Sequence, residues 1–327
     1  MILAGDIGGT NARLAFFEVA NGQFRLMTAS VFPSREYKGL DEIVTKFVDA
    51  SNLHPEAACF GIAGPVRNGR VEASNLPWVI EATRLAEELH LNETLLINDL
   101  EANAWGIATL DAKDVVPLNQ AVATPTGNRA IISAGTGLGE AGMCWDGTEH
   151  RIFASEGGHT DFAPRNDLEV ELFRYLAAQF EHVSYERVVS GRGLVNVFSF
   201  LRDSKRGTPP AWLTDEMQRM DPAAAISRAA MEGKCGLAEQ ALDLFISIYG
   251  AETGNLALKL MSTGGVYLGG GISPKILPKL RGPQFMNAFL DKGRMRGLMA
   301  SMPVSVITND KTALMGAARC AALKAPA

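Results

Sequence analysis

Two glycine-rich stretches in this chain carry residues suited to phosphate chemistry. Gly5-Asp6-Ile7-Gly8-Gly9-Thr10-Asn11 separates two apolar runs, and Gly135-Thr136-Gly137 separates two more. Glycine lacks the Cβ that would keep a phosphate at a distance. Consecutive backbone N–H groups in such a turn form a nest for an anion. A single turn of this kind reads as a tight hairpin. Two matched turns, one with an acid at its base, favour the phosphates of a nucleotide. A carboxylate beside those phosphates repels them unless a cation lies between. Asp6 is therefore read as an anchor for Mg²⁺, held through water because Mg²⁺ keeps several of its waters. The alternative is an aspartate that caps its own turn by hydrogen bonding.

Other constellations point to an acceptor site or exclude rival chemistry. Asn98-Asp99 ends an apolar run, and Glu156-Gly157-Gly158-His159 sets an acid and an imidazole on either side of two glycines. Asn and Asp are preferred helix caps, so the first pair has a purely structural reading. The Gly-Gly pair is a poor choice inside a helix, at about 1 kcal/mol per residue against Ala, and reads as a flexible loop whose flanking side chains converge on a ligand. A catalytic Glu–His pair and a metal pair are the alternatives there, and the metal reading lacks a third ligand. Gly137-x-Gly139-x-x-Gly142 matches the dinucleotide fingerprint by letter. That fingerprint needs a helix opening at its glycines. The short β-like run closed by Asp146-Gly147 fails the test, and no Walker-type phosphate loop occurs.

The elements that must position these residues alternate between strands and helices. Strands are expected at 2–6, 12–19, 23–32, 57–65 and 94–99, with an Asn21-Gly22 hairpin turn. Helical spacing of Leu40, Ile43, Val44, Phe47 and Val48 marks a helix over 40–50, and helices follow near 81–91 and 101–110. A second strand, glycine turn, strand, turn, strand unit begins at 130, with Gly137 falling on Gly8, which suggests duplication of one plan. Residues 165–260 are mostly helical, with Asn166 and Asp167 starting a helix striped by Leu168, Leu172, Leu176 and Phe180. A strand followed by three glycines within 266–274, a strand at 304–310 and a last helix complete an α/β layout. No low-complexity linker is present, so a short hinge is expected near 105–115.

Bulk properties narrow the class. The 327 residues exceed one ordinary core, so two domains are expected. A hydrophobic content of 47%, a charged content of 20% and a net charge of −5 describe a soluble globular chain. No dense basic cluster suggests nucleic-acid binding, and no apolar run is long enough for a membrane. A secretory signal is not expected. Cys59, Cys144, Cys235 and Cys320 are far apart and fit reduced core thiols in the cytoplasm. His54, His90, His150 and His182 sit in polar contexts and read as surface residues.

The motifs together resemble a known family. GDIGGTNAR and AGTGLG are similar to the two phosphate motifs of the sugar-kinase, heat-shock-chaperone and actin superfamily, and Gly269-Gly270 lies in a turn similar to its adenosine motif. TLLINDLEANAWG, SEGGHTDFAP, YERVVSGRGLVN and TNDKTALMGAA resemble bacterial ATP-dependent glucokinases over nearly the whole chain. Related sugar kinases carry a Cys/His zinc cluster after the GH motif. Here His159 has no neighbouring cysteines, so no zinc is expected.

The resemblance implies two domains of the actin-like ATPase (ribonuclease H-like) fold flanking a cleft that closes on sugar. The smaller would span 1–110 completed by 303–327, the larger 111–302 with a homodimer surface. It implies transfer of the γ-phosphoryl of ATP to the 6-hydroxyl of D-glucose, with Mg²⁺. Asp99 would be the general base, and Asn98, Asp99, Glu156, His159 and Glu186 would bind the sugar. Glu186 could instead be a carboxylate at a short helix start capped by Ser184. A kinase of another hexose or N-acetylhexosamine is the alternative function. A DNA-binding regulator is disfavoured because the first phosphate motif begins at residue 5, and a filament former would not need the Asn98–Asp99 and Glu156–His159 set.

Overall fold

The computed structural model describes residues 1–20, 23–73 and 76–324, so the expected Asn21-Gly22 turn lies outside the described residues. The chain divides into two compact units. One is Met1–Asp114 with Ile152–Ala154 and Asn309–Ala327, and the other is Val115–Arg151 with Ser155–Thr308.

The first unit opens with an antiparallel meander of β1 (Ile2–Ile7), β2 (Asn11–Ala20) and β3 (Gln23–Pro33). Helix α1 (Leu40–Ser51) leads to β4 (Ala57–Ile62). A two-stranded ribbon of β5 (Arg70–Glu72) and β6 (Val79–Glu81) precedes α2 (Ala82–Leu89), β7 (Leu95–Asn98) and α3 (Asp99–Ile107). The main sheet has the order β3-β2-β1-β4-β7, with β1, β4 and β7 parallel. Side chains alternate across it. Leu3, Ile7, Phe60 and Ile62 pack with Leu40, Ile43 and Leu85 on one face. Ile2, Ala4, Cys59 and Ile97 pack on the other with Ala102 and Trp105 of α3 and with the C-terminal helix. Every residue of β4 is buried, as expected for a central parallel strand covered on both faces.

The second unit repeats this plan. Its strands are β8 (Val115–Pro117), β9 (Arg129–Ala134), β10 (Leu138–Trp145), β11 (His150–Ser155), β12 (Gly265–Gly269) and β13 (Val304–Ile307), in the order β11-β10-β9-β12-β13-β8. The run β11-β10-β9-β12-β13 matches β3-β2-β1-β4-β7 position for position, including the parallel pairing of β9, β12 and β13. The duplicated unit read from the glycine turns is thus a duplicated sheet. Between β11 and β12 lie α4 (Asp167–Ala177), α5 (Gly191–Asp203), α6 (Ala211–Arg219), α7 (Pro222–Met231) and α8 (Gly236–Leu260). Helices α9 (Leu277–Leu280), α10 (Pro283–Leu290) and α11 (Arg296–Ala300) precede β13, and α12 (Thr312–Lys324) closes the chain. Leu172 and Leu176 of α4 are buried as the stripe requires, and the Asn166 side chain caps that helix. Among the described residues, no helix is long and apolar enough to cross a membrane.

Three expectations are corrected. Residues 303–308 do not complete the first unit, because β13 pairs with β12 and β8 in the second sheet. Cys144 is exposed and is not a core thiol, whereas Cys59, Cys235 and Cys320 are buried. His150 is half-buried, with its ring 5.0 Å from that of Trp145 and Nε2 2.9 Å from the Gly127 carbonyl.

Helices α3 and α12 cross at backbone distance. A Cβ on Gly316 would collide with the Ala102 carbonyl, and one on Gly106 with the Thr312 carbonyl. Both atoms belong to backbone that cannot move aside cheaply. Gly316→Ala is expected to destabilise the protein by about 1–3 kcal/mol through overpacking, read as a lower denaturation midpoint. Gly297→Ala, where a Cβ meets nothing within 4 Å, should leave the midpoint in place. Equal midpoints for Gly316→Ala and the parent would show that the crossing tolerates a wider spacing.

Candidate active site

In the first unit the phosphate-type turn follows β1. The Gly8 amide donates to the Asn11 carbonyl at 2.9 Å. Ser34 braces the turn from the next strand end: its Oγ donates to the Gly8 carbonyl at 2.8 Å and its amide to the Thr10 carbonyl at 2.9 Å. Thr10 and Asn11 are exposed. Ser34 is wholly buried and was not singled out from the sequence, because its role depends on a pairing 24 residues distant.

Asp6 lies one residue before the end of β1. Strand alternation puts its side chain on the face that carries Ile2 and Ala4, where α3 packs. Its Oδ2 is 3.9 Å from Arg13 Nη1, and Arg13 also donates to the Asp310 carbonyl at 3.1 Å. Burial pushes the Asp6 carboxyl above its ordinary value, while the Arg13 guanidinium opposes the shift. Among the described residues no hydrogen bond ties the Asp6 side chain to its own turn, so the capping alternative does not describe it.

Sheet register brings the second acid close. Asp6 aligns with Gly61 and Gly61 with Ile97, so Asp6 and the Asn98–Asp99 corner sit at the carboxyl ends of three adjacent parallel strands. Two strand spacings separate β1 from β7, about 10 Å. Ligands of open parallel sheets gather outside this edge. Asn98 is the N-cap of α3: its Oδ1 accepts from the Leu100 amide at 2.8 Å, and Glu101 Oε2 accepts from the Asn98 amide at 3.0 Å. This reciprocal cap is the capping box. The Asn98 Nδ2 donates to the Gly64 carbonyl at 3.1 Å, so the chain engages both ends of the amide. Asp99 is the first residue of α3, half-buried, with Oδ1 accepting from the Leu100 amide at 2.9 Å. The unpaired N–H groups of a helix start favour negative charge there. Gly61 admits the close approach of α3, since a Cβ there would collide with the Ala102 Cβ at 2.7 Å.

The second unit carries the other turns at the equivalent edge. The Gly135 amide donates to the Gly137 carbonyl at 2.9 Å, and a Cβ on Gly135 would meet nothing within 4 Å. Ser133 pairs with Gly269, which sets the Gly269-Gly270 turn beside the Gly135–Gly137 turn. Gly270 has φ of 77° and backs directly on the Ala134 carbonyl, a position open only to glycine. The Gly191 amide donates to the Gly135 carbonyl at 2.8 Å, so the start of α5, capped by Ser190, abuts the turn.

The acceptor-type residues also gather in this unit. Gly157–His159 forms one 3-10 turn preceded by Glu156, and the Glu156 and His159 side chains are exposed. Glu186 sits in another 3-10 turn, Tyr185–Arg187, and its Oε2 accepts from the Leu138 amide at 3.0 Å. The Ser184 hydroxyl does not cap that turn. The Tyr185 amide donates to the Thr160 carbonyl at 3.0 Å, joining the two turns. The Gly-Gly pair proves to serve close packing rather than flexibility. A Cβ on Gly157 would strike the Glu140 carboxyl, and one on Gly158 the Leu138 carbonyl.

The donor set bears on Mg²⁺. Among the described residues no cluster of three or more His, Cys, Asp or Glu could hold a metal ion. Mg²⁺ commonly takes one or two carboxylates, several waters and substrate phosphates, so a single Asp6 beside a phosphate turn fits it.

Comparison with known proteins identifies the family. A family model described as Glucokinase matches residues 3–324. The chain is 45% identical to a glucokinase of Nostoc sp. over 338 aligned positions, covering 98% of this chain and 99% of that protein. The crystal structure of a glucokinase from an Antarctic psychrotroph superposes with a TM-score of 0.85 at 31% identity, covering 99% of both chains. A ROK family glucokinase from Streptomyces griseus, solved with glucose and AMPPNP, shares the fold with a TM-score of 0.68 at 21% identity, over 98% of this chain and 99% of that one. Both units have the actin-like ATPase topology, and the chain belongs to the glucokinase family.

Proposed function

We propose that this protein phosphorylates D-glucose on its 6-hydroxyl, using the γ-phosphoryl group of ATP and releasing glucose 6-phosphate and ADP. The observation that carries the reading is the shared strand edge of Asp6 and Asp99, two acids suited to different tasks, with a braced glycine turn directly after the strand of Asp6. Family membership and the relative solved with glucose and AMPPNP support it.

Phosphoryl transfer asks little covalent chemistry of a protein; it asks for position and charge. The backbone N–H groups of Gly8–Asn11 and Gly135–Gly137 would take ATP phosphates, and the Gly269-Gly270 turn the adenosine. Asp6 would hold Mg²⁺ through water. When bound, that ion neutralises charge on the β- and γ-phosphates. Asp99 would accept the proton of the sugar 6-hydroxyl as the oxygen attacks the γ-phosphorus. The Leu100 amide, donating to Oδ1 at 2.9 Å, would orient the carboxylate. Glu156, His159 and Glu186 would hold ring hydroxyls, since carboxylates accept and an imidazole can do either. Asn98 would contribute a remaining lone pair or N–H, beyond the two bonds that cap α3 and reach Gly64. A reduced cytoplasmic setting suits the four free cysteines.

Asp99→Ala is expected to lower kcat by about 10²–10⁴-fold, the usual range for a lost general base, while calorimetry still detects glucose binding. A variant with parental kcat would overturn the assignment. Asp6→Asn is expected to raise the Mg²⁺·ATP concentration for half-maximal rate by at least about tenfold, a loss of roughly 1.4 kcal/mol, with little change for glucose. Equal effects on both substrates would make Asp6 structural. Across a hexose panel, kcat/KM should favour glucose over mannose and N-acetylmannosamine by about tenfold or more; a reversed order would reassign the substrate.

A further inference from the structure

Beneath the Glu156–His159 turn lie two acids that the reaction does not use. Glu140 of β10 is 2% exposed and Glu252 of α8 is 0% exposed. Their carboxyls are within hydrogen-bonding reach of each other, and the Oε1 of each has no other partner among the described residues. Two buried carboxylates with unmatched oxygens would repel strongly. One shared proton removes the repulsion and fills the gap between them.

The neighbours place that proton. Glu252 Oε2 accepts from Asn255 Nδ2 at 2.8 Å, and the Tyr185 hydroxyl also bonds to Glu252. Lys292 Nζ donates to Asn255 Oδ1 at 2.7 Å, and the Lys259 ammonium acts on both acids. Glu252 is thus the better supplied with donors of the two, while burial pushes its carboxyl up as well. Glu140 faces Glu252, the Lys259 ammonium and the phenol of Tyr249, and holds the proton. Arg165, beyond Lys292, adds positive charge on the Glu252 side. Burial, followed by the charge on Glu252, pushes the Glu140 carboxyl up to about 8.

This pair touches both segments of the acceptor site. Gly157 rests against Glu140 Oε2, and Tyr185, bonded to Glu252, immediately precedes Glu186 and donates its amide to Thr160. We propose that Glu140 and Glu252 are positioning residues, a one-proton carboxyl pair that holds the Glu156–His159 turn and the Glu186 turn in register for the sugar. The inference rests on the reading of those turns as the glucose site. Loss of the proton sets two carboxylates against each other directly under Gly157, and the turn moves off its place.

The test is the KM for glucose, with kcat, from pH 6.5 to 9.5. In the parent, KM should hold steady up to about pH 8 and then rise about tenfold per pH unit, the slope for one required proton, with a smaller change in kcat. Glu140→Gln keeps a neutral hydrogen-bonding group of the same shape and should flatten the rise; Glu252→Gln should do so independently. An alkaline rise that persists in both variants overturns the pair. Stability gives a second readout. The folded protein keeps this proton between the ordinary value of 4.5 and about 8, so the parent loses stability as pH climbs through that window. Glu140→Gln should therefore gain thermal midpoint over the parent at pH 8 relative to pH 5; a constant difference counts against the pair. Glu156→Gln at pH 7 separates the two readings. An unchanged glucose KM there would remove the sugar site itself, whereas a raised KM with an unaltered alkaline rise in Glu140→Gln would remove only the carboxyl pair.

Discussion

The register of three parallel strands governs the first half of the site. Because Asp6, Gly61 and Ile97 lie abreast, the ends of β1 and β7 are fixed two strand spacings apart. In the proposed reaction, the acid that would hold Mg²⁺ and the acid that would take the proton must be separated by the width of a phosphoryl group and its acceptor oxygen. A hydrogen-bonded sheet provides that separation more rigidly than any loop, since changing it means breaking ladder bonds on both sides of β4. Gly61 then permits α3 to descend close to the sheet, which brings Asp99 to the strand edge.

The same constraint appears in the second unit with different cargo. There the parallel neighbours β9 and β12 end in glycine turns rather than acids, and Ser133 and Gly269 lie abreast. One sheet plan has thus been used once to separate charges and once to join two backbone nests. Glycine serves close approach in most of these places: Gly270 against Ala134, Gly158 against Leu138, Gly316 against Ala102. These contacts leave almost no room for adjustment, so the proposed ligand-facing side chains are mounted on backbone with little freedom.

Much of this was legible in the sequence. The hairpins, the helix over Leu40–Ser51 and the repeated strand plan follow from periodicity and turn residues, because those signals are local. The pairing of β13 with β8 was not legible, since edge pairing of a four-residue strand depends on a partner nearly 190 residues away. Asn98–Asp99 could be read as a cap or as a site, and the geometry shows that Asn98 caps whichever further role it has. The Gly157-Gly158 pair suggested mobility by type alone; its true neighbours, Glu140 and Leu138, lie on another strand. Ser34, which braces the first turn, carries no sequence signal, because a serine at a strand end has many ordinary uses.

Helix α12 has a consequence for the footing of the first sheet. Helix α12 covers the same sheet face as α3, and Ala313, Ala317, Cys320 and Ala321 are buried there against residues from the first two strands. Without α12 that face would stay wet and α3 would lose the helix packed along it. Asp99 opens α3, so the proposed phosphotransfer centre takes its footing from a segment far along the chain from the strands that carry it.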